Sequence, residues 1–385
     1  MDLLLDDQER LIQETARGFF AAESTPATVR AAEEDPRKYS PELWRKVGEL
    51  GWLGVSLPES CGGQALPLTY AGLLLEEAGR HAAPAPLHST MAAALALARH
   101  DSERFSGLLA QVASAQVILT FAVQGADGAW SFEGTGLDGN REGKGVVLNG
   151  VRSFVDNFRI AHRCLALYRD PDGGVAAALV DPAAPGVRCT DLVTTAKDSQ
   201  ATVRFDNVFV AEADIVADGD AARRLAGDLC DLAAALMTSQ LAGAARRDME
   251  FAVEYAKQRE AFGQPIGAFQ AIQHMAADML IAVDGAELLS REALWRLDQG
   301  LPASIEVSQA KAFASDRCIF VARSAQQIHG GLGFMMECDL QLWYRRIAAY
   351  SLRCGSVREH RRRVAAALLD QAGKVRLGAT QRAPD

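Results

Sequence analysis

Two short stretches of this sequence combine residue types suited to a flat, anionic ligand. The first is residues 259–266, which begin with Arg259, and the second is residues 327–334, which contain Gly330 and Gly331. A guanidinium group can hold a pyrophosphate through paired hydrogen bonds, and glycine lets the backbone come close to a ring or a phosphate. Either stretch alone is more often a solvated helix end or a turn. Together they indicate a site for an anionic, planar cofactor.

The elements that must position these residues fall into three predicted domains. Residues 1–117 have the spaced apolar positions and the helix caps of an N-terminal helical domain. Residues 118–214 are rich in β-branched residues separated by Gly, Asp and Pro, which predicts a middle β domain, a small barrel or sandwich. Residues 221–371 predict a C-terminal four-helix bundle, and residues 372–385 predict a loose tail. The fold class is therefore α+β and multidomain.

Finer boundaries follow from the same patterns. Residues 146–155 are expected to form a hairpin on an Asn149–Gly150 turn, because this pair favours the left-handed backbone that tight hairpins need. The bundle helices are expected at residues 225–257, 266–299, 303–329 and 339–370.

Composition and charge limit the classes of function. The chain has 385 residues, 49% of them apolar, and a net charge of −9, so no nucleic-acid-binding surface is expected. Its seven cysteines follow no disulfide or metal-ligand spacing, which predicts no metal site and suits a reducing compartment. The first residues lack the basic start of a signal peptide, and charged residues interrupt the long apolar segments. We therefore expect a cytoplasmic protein without a membrane-spanning segment.

The order and spacing of these motifs resemble the C-terminal signature of the acyl-CoA dehydrogenase flavoprotein family. The resemblance rests on Arg259-x-x-Phe262-Gly263, on Phe269 and Gln270, and on residues 327–334. A stretch near the N-terminus, residues 43–63, resembles the entry helix and loop of the family, and the likeness extends to about residue 370. It implies the same arrangement of a helical domain, a β-barrel or sandwich and a four-helix bundle.

The resemblance also implies FAD as the cofactor and an acyl-CoA thioester as the substrate. In such enzymes a carboxylate removes the α-proton while the flavin accepts the β-hydride, which leaves a trans double bond. The base needs a raised pKa in an apolar pocket, because the α-proton of a thioester is only weakly acidic.

Several residues of the expected reaction pocket depart from the family pattern. The usual catalytic glutamate corresponds to Cys354, and the earlier helix position used by some relatives corresponds to Ala233. Asp231 is the low-probability stand-in for the base, and a helix-surface role suits it better. Residues 122–128 lack the Thr, Pro and Ser of the flavin-facing motif, and residues 154–156 (Phe-Val-Asp) replace its Trp-Ile-Thr. The sequence therefore assigns no catalytic carboxylate to this chain.

The residues that remain are those with which the family contacts the adenosine diphosphate part of a neighbouring subunit's FAD. In this respect the chain resembles the base-lacking subunit of heteromeric acyl-CoA dehydrogenases of bacterial steroid side-chain degradation, which are α2β2 assemblies with half the usual number of flavins. The resemblance implies a catalytic acyl-CoA dehydrogenase subunit as partner and an acyl-CoA substrate of the complex. The implied cofactor-binding residues are Arg259, Phe262, Gln270, Gln327, Ile328, Gly330, Gly331, Ser356 and Arg358.

Three alternatives stay open at the level of sequence. A homo-oligomeric acyl-CoA dehydrogenase would need a non-standard base such as Asp231. A flavin monooxygenase on the same fold needs no carboxylate, although such enzymes commonly use FMN, which has no adenylate for Arg259 and Gly330 to hold. A non-enzymatic binding protein would carry no flavin in any complex. The steroid substrate rests on family analogy alone.

Overall fold

Helices form both ends of the described chain, and strands form its middle. The computed structural model describes residues 4–132 and 136–370, so the tail expected at residues 372–385 lies outside the described residues. The chain divides into two compact units. The described residues of Met1–Val29, Pro67–Ala83 and Ala234–Asp385 form one unit, and those of Arg30–Leu66 and Pro84–Ala233 form the other.

The region before the sheet is helical, as the sequence predicts. Its helices are α1 (Asp7–Glu23), α2 (Pro26–Glu34), α3 (Pro41–Glu49), α4 (Leu68–Arg80), α5 (Leu87–Asp101) and α6 (Ser106–Ala113). The side chain of Asp6 accepts a hydrogen bond from the Glu9 N–H in a capping box that begins α1. The Ser40 side chain accepts a hydrogen bond from the Leu43 N–H and so caps α3, with Pro41 in the first turn. Local capping signals thus set where these helices begin.

The middle region forms one open sheet of mixed strand direction. Its strands are β1 (Leu119–Ala122), β2 (Leu137–Arg141), β3 (Gly145–Asp156), β4 (Arg163–Arg169), β5 (Val175–Val180), β6 (Val187–Asp191), β7 (Gln200–Ala211) and β8 (Ile215–Asp218). The strand order is β6-β7-β3-β2-β4-β5-β8, and β1 pairs in parallel with β4. Among the described strands, β6 and β8 end this order without pairing with each other. A β domain is confirmed, but the sheet is not a closed barrel.

The hairpin expected on Asn149–Gly150 is wrong, because β3 continues through both residues. The pairing of β3 with β7 shifts register at this point, and Gly150 has a φ of +142°. The side-chain oxygen of Asn149 accepts a hydrogen bond from the N–H of Asn207 on β7. The Asn-Gly pair therefore forms a bulge within a long strand. The tight turn lies earlier, at residues 142–144 between β2 and β3.

The C-terminal region is helical, with one break that the sequence prediction missed. Its helices are α7 (Gly219–Gln258), α8 (Gln270–Asp298), α9 (Ser304–His329), α10 (Leu340–Tyr350) and α11 (Val357–Asp370). The single helix expected at residues 339–370 is wrong, since Cys354 and Gly355 both have positive φ angles and separate α10 from α11. No helix within residues 4–132 and 136–370 combines the length and the apolar content needed to cross a membrane.

Helices α4 and α7 cross at unusually close range because glycines lie at the contact. A Cβ atom on Gly79 would overlap the carbonyl oxygen of Gln240, and a Cβ atom on Gly243 would overlap that of Glu76. Both positions therefore require glycine for the approach of two backbones, without any need for unusual backbone angles. The crossing fixes the central part of α7 against α4.

Candidate functional site at the ends of helices α7 and α9

A short hairpin follows the end of α7 and carries the first predicted motif. The Arg259 N–H donates to the Tyr255 carbonyl, and the Arg259 carbonyl accepts from the Ile266 N–H, both at 2.8 Å. Strands β9 (Glu260–Ala261) and β10 (Gln264–Pro265) pair on either side of a two-residue turn. Both turn residues, Phe262 and Gly263, have positive φ angles, as in a type I′ turn.

Phe262 at the tip of this hairpin is held in an unfavourable backbone conformation and faces solvent. Its φ is +54°, a value that glycine and asparagine adopt more readily than phenylalanine. Its side chain is 95% exposed, and its ring lies edge-on to the ring of Phe269 with centroids 6.1 Å apart. An exposed aromatic ring on a strained turn is poorly explained by the stability of the chain itself.

The guanidinium of Arg259 is available for a ligand. Its residue is exposed, and within residues 4–132 and 136–370 the side chain forms no ion pair or hydrogen bond. Gln270, the first residue of α8, is also exposed. Gln273 donates its side-chain amide to the Gly267 carbonyl at 3.0 Å and so fixes the entry to α8.

The end of α9 lies beside the end of α7. The ring of His329, the last residue of α9, stacks on the ring of Tyr255 with centroids 4.4 Å apart. Tyr255 lies one turn before Arg259, and His329 directly precedes Gly330, so this stack brings the two predicted motifs together. The sequence analysis missed both aromatic residues. Their only sequence signal is their position one residue or one turn away from a motif.

The glycines after α9 leave open space. Gly330 ends the helix with a φ of +60° and a ψ of −138°, which only glycine adopts readily, and its N–H donates to the helix carbonyls. A Cβ atom on Gly330 or Gly331 would have no neighbour within 4 Å. Before them Gln327 is exposed, whereas Ile328 is buried and packs inward. A ligand could therefore approach the backbone of the two glycines closely.

The remaining predicted cofactor residues begin α11. Ser356 donates its hydroxyl to the Glu359 carboxylate at 2.6 Å, and the Glu359 N–H donates back to the Ser356 oxygen. This capping box uses the hydroxyl hydrogen of Ser356, so a ligand could only donate to that oxygen. Arg358 is exposed.

The two positions at which the sequence resemblance predicts a base hold no carboxylate. Cys354 is 3% exposed, has a φ of +54°, and accepts a hydrogen bond on its carbonyl from the Nε2 atom of His360. Ala233 accepts a hydrogen bond on its carbonyl from the Nε2 atom of His88 at 2.8 Å. Asp231, the possible stand-in, is only partly buried on α7. At both positions, therefore, a histidine imidazole is hydrogen-bonded to the backbone carbonyl.

The loop that should face a flavin ring is bonded to itself. The Gln124 side-chain amide donates to the Gly128 carbonyl at 2.7 Å, and the Gln124 carbonyl accepts from the Ser153 N–H at 3.0 Å. The ring of Phe154 lies over Gly128, since a Cβ atom built there would be 3.2 Å from it. Asp156 accepts from the Gln200 side chain at 2.9 Å. The structure thus joins residues 122–128 and 154–156, the two segments that depart from the family pattern.

A buried arginine that the sequence analysis missed fixes these two segments. Arg152 is 1% exposed and donates to the carbonyls of Val123 and Leu167. Burial lowers the pKa of this guanidinium to about 10, so it remains charged at neutral pH. Its sequence signal is weak, because a single arginine in a strand is usually an exposed residue.

A helical N-terminal region, a middle sheet and a C-terminal helical region with an arginine hairpin define the class of acyl-CoA-oxidising flavoproteins. This chain belongs to the acyl-CoA dehydrogenase family. The family's N-terminal domain model matches residues 6–106, and its C-terminal domain model matches residues 225–369. FAD is the cofactor of this family of oxidoreductases and supplies the two-electron acceptor when bound.

The relatives include enzymes of two mycobacteria. Acyl-CoA dehydrogenase FadE27 of Mycobacterium tuberculosis is 32% identical over 324 residues, which cover 80% of this chain and 83% of that protein. Acyl-CoA dehydrogenase IpdE2 of Mycolicibacterium smegmatis is 29% identical over 367 residues, which cover 94% of this chain and 99% of that protein.

Two solved structures, each named for a pair of proteins, have the same fold as this chain. The ChsE4–ChsE5 complex from Mycobacterium tuberculosis matches with a TM-score of 0.89 and 28% identity, covering 96% of this chain and 99% of that one. The Tcur3481–Tcur3483 steroid acyl-CoA dehydrogenase matches with a TM-score of 0.87 and 29% identity, covering 95% and 99%.

Proposed function

We propose that this chain is one subunit of a heteromeric, FAD-dependent acyl-CoA dehydrogenase. It binds the nucleotide end of an FAD molecule. The partner subunit binds the flavin ring of the same FAD and supplies the catalytic carboxylate. The observation that carries the proposal is a contrast between two groups of residues. Arg259 and the glycines after α9 are exposed and available to a ligand, whereas the loop at residues 124–128 is closed by its own hydrogen bonds.

The nucleotide end of FAD suits the chemistry of the α7 and α9 ends. A pyrophosphate carries two negative charges and accepts paired hydrogen bonds, which an exposed and unpaired guanidinium such as Arg259 can donate. The open backbone at Gly330 and Gly331 allows the close approach that a planar adenosine needs. Phe262 presents an apolar ring on the same hairpin, so it would pack against the partner or its bound cofactor.

The ring end of FAD does not suit the described residues of this chain. At the ends of β1 and β3 the Gln124 side-chain NH2 and main-chain carbonyl are already hydrogen-bonded, and the Phe154 ring lies against Gly128. The carboxylate of Asp156 at this end would oppose the negative charge that develops on a reduced flavin. Cys354 and Ala233 supply no base for the α-proton. The chain therefore needs a second subunit to complete the reaction.

The names of the relatives support a second acyl-CoA dehydrogenase subunit as that partner. Two of the structural neighbours are complexes of two differently named proteins, and one of them is described as a steroid acyl-CoA dehydrogenase. An α2β2 assembly and a steroid side-chain CoA as substrate follow from this analogy. The chemistry of the complex would be α,β-dehydrogenation of the thioester.

Co-expression with candidate acyl-CoA dehydrogenase partner subunits from the same genome tests the proposal. We expect a complex that holds one FAD for every two chains by absorbance, and an isolated chain without flavin. The substitution Arg259→Gln in this chain should release FAD from the complex without dissociating the subunits. Arg188→Gln is the matched control, since Arg188 is an exposed arginine on β6, and it should leave FAD content unchanged.

Two outcomes would contradict the proposal. One is an isolated chain that purifies with one FAD per subunit and turns over an acyl-CoA. If Asp231→Asn then abolished that turnover, the homo-oligomeric alternative with Asp231 as base would be supported. The other is an unchanged FAD content in the Arg259→Gln complex.

A further inference from the structure

The break between α10 and α11, here called the corner, consists of residues 351–356. Cys354 and Gly355 have φ angles of +54° and +98°, and the corner contains the position at which the family carries its base. This chain has no carboxylate there, yet Ser351, Cys354 and Gly355 are buried and the corner is hydrogen-bonded at both ends. A chain that had lost every use of this segment would have no need of the two buried titratable side chains that hold it.

Lys311 on α9 holds the start of the corner. Its ammonium is fully buried and donates to the Ser315 hydroxyl at 2.7 Å, the Tyr350 carbonyl at 3.2 Å and the Ser351 carbonyl at 3.3 Å. The last two acceptors are carbonyls at the end of α10, where a positive charge is favourable. The three N–H groups of the ammonium thus have three acceptors, two of which belong to the corner or its edge.

His360 on α11 holds the end of the corner. Its Nε2 atom lies 2.8 Å from the Cys354 carbonyl and its Nδ1 atom lies 3.2 Å from the Ser308 hydroxyl. A carbonyl can only accept, so Nε2 carries the hydrogen and Nδ1 accepts from the hydroxyl of Ser308 on α9. Burial lowers the pKa of His360 to about 4, so the imidazole stays neutral and keeps this arrangement at neutral pH.

Helix α9 therefore joins the corner to the glycines at its own end. Ser308 and Lys311 hold the corner from the first half of the helix, and the same helix ends at Gly330. The corner leads directly into Ser356 and Arg358 at the start of α11. The α9 helix thus sets the position of one group of predicted nucleotide contacts relative to the other.

We propose that Lys311 and His360 are positioning residues, which hold the start of α11 so that Ser356 and Arg358 meet the adenosine end of FAD. This inference rests on the proposed function, because the FAD is the one shared with the partner subunit. It explains why the corner keeps its buried polar contacts although Cys354 cannot act as a base. The contacts serve cofactor binding at the subunit boundary and need no proton transfer.

The FAD dissociation constant of the co-expressed complex tests the inference, measured by flavin fluorescence at pH 7 and pH 9. Burial lowers the pKa of Lys311 to about 8, and the groups that face its ammonium are the Cys318 and Cys354 thiols, the Glu359 carboxylate and the His360 imidazole. Raising the pH to 9 removes the ammonium charge and one donor, so the wild-type complex should bind FAD about 10-fold more weakly than at pH 7. Lys311→Met should bind weakly at both pH values.

Two further variants separate positioning from general stability. Ser308→Ala removes only the hydrogen bond to His360, and it should weaken FAD binding about 3-fold even if Lys311→Met does not fold. Gly243→Ala disturbs the distant α4–α7 crossing, and at a temperature below its unfolding it should bind FAD as the wild type does.

Each negative result has a distinct meaning. If Arg259→Gln weakens FAD binding but Ser308→Ala and Lys311→Met do not, the positioning role is wrong and the proposed function stands. Wild-type and Lys311→Met complexes with the same change in FAD affinity between pH 7 and pH 9 would also overturn it. If Arg259→Gln itself has no effect, the proposed function fails first.

Discussion

Replacement of Phe262 by asparagine should make this chain more stable and its assembly weaker. Phe262 lies at the first turn position of the β9–β10 hairpin with a φ of +54°, which costs a residue with a Cβ about 1 kcal/mol. Asparagine tolerates this conformation and, followed by Gly263, gives the Asn-Gly pair favoured in type I′ turns. The ring is 95% exposed, so its removal costs little beyond the edge contact with Phe269, about 0.5 kcal/mol.

The expected net change is therefore a gain of about 0.5 kcal/mol in the free energy of unfolding of the isolated chain. In the complex the ring would be buried, and its loss should cost about 2 kcal/mol, or about 30-fold in the dissociation constant. Chemical denaturation of the isolated chain and sedimentation of the complex measure the two effects. The control is Val193→Asn, since Val193 is a fully exposed apolar residue on another loop and should affect neither assembly nor FAD.

The reasoning predicts that Phe262→Asn stabilises the isolated chain and weakens the complex, and it is tested by this pair of opposite effects. If Phe262→Asn destabilised the isolated chain and left the dissociation constant unchanged, the hairpin tip would be a structural element of this subunit. Its exposure would then have no connection with a partner.

Three further predictions concern the stability of the chain. Asp248 is fully buried with no hydrogen-bond partner in the described structure, and burial raises its pKa, so the stability it contributes is present below about pH 4 and is lost as the pH rises. In the wild type the free energy of unfolding should therefore fall by up to about 1.4 kcal/mol per pH unit above about pH 4, and Asp248→Asn should abolish this fall. If denaturation at pH 5 and pH 7 shows the same pH dependence for the variant as for the wild type, the prediction is wrong. Gly243→Ala should cost about 3 kcal/mol because its Cβ atom would overlap the Glu76 carbonyl, whereas Gly227→Ala on the same helix meets no atom within 4 Å and should stabilise by about 0.5 kcal/mol. Cys354→Glu should lower stability by about 2 kcal/mol through burial of a carboxyl, and the isolated chain should gain no acyl-CoA oxidation with a dye acceptor.

The sequence predicted the helices well where local signals are strong, and the cofactor role of its motifs stays a prediction. The caps at Asp6 and Ser40 mark helix starts through contacts with residues three positions away, so a sequence pattern contains them completely. The Arg259 and Gly330 motifs also lie at helix ends, where glycine and charge have specific roles. The stack of Tyr255 on His329 that joins them depends on the packing of two distant helices, and no local pattern reveals it.

The sequence failed where tertiary contacts override a strong local preference. Asn149–Gly150 is a favoured hairpin turn, but pairing with β7 across the whole of β3 absorbs it as a bulge, with Asn207 bonded to the Asn149 side chain. The break in the last helix is a second case. Residues 339–370 look continuous by composition, and the left-handed Cys354 is stable there because His360 bonds its carbonyl.

The loss of a base and the retention of the corner are compatible because they depend on different atoms of the same residue. The base that the sequence resemblance predicts at position 354 would act through its side chain, whereas the corner is held through the Cys354 carbonyl, which every residue type provides. A change from glutamate to cysteine can therefore remove proton abstraction while α11 keeps its start and its direction. The same reasoning applies at Ala233, where His88 bonds the carbonyl and the side chain is free to be small. Under the proposed function, a base would be lost at these positions through the side chain alone, while the backbone contacts persist.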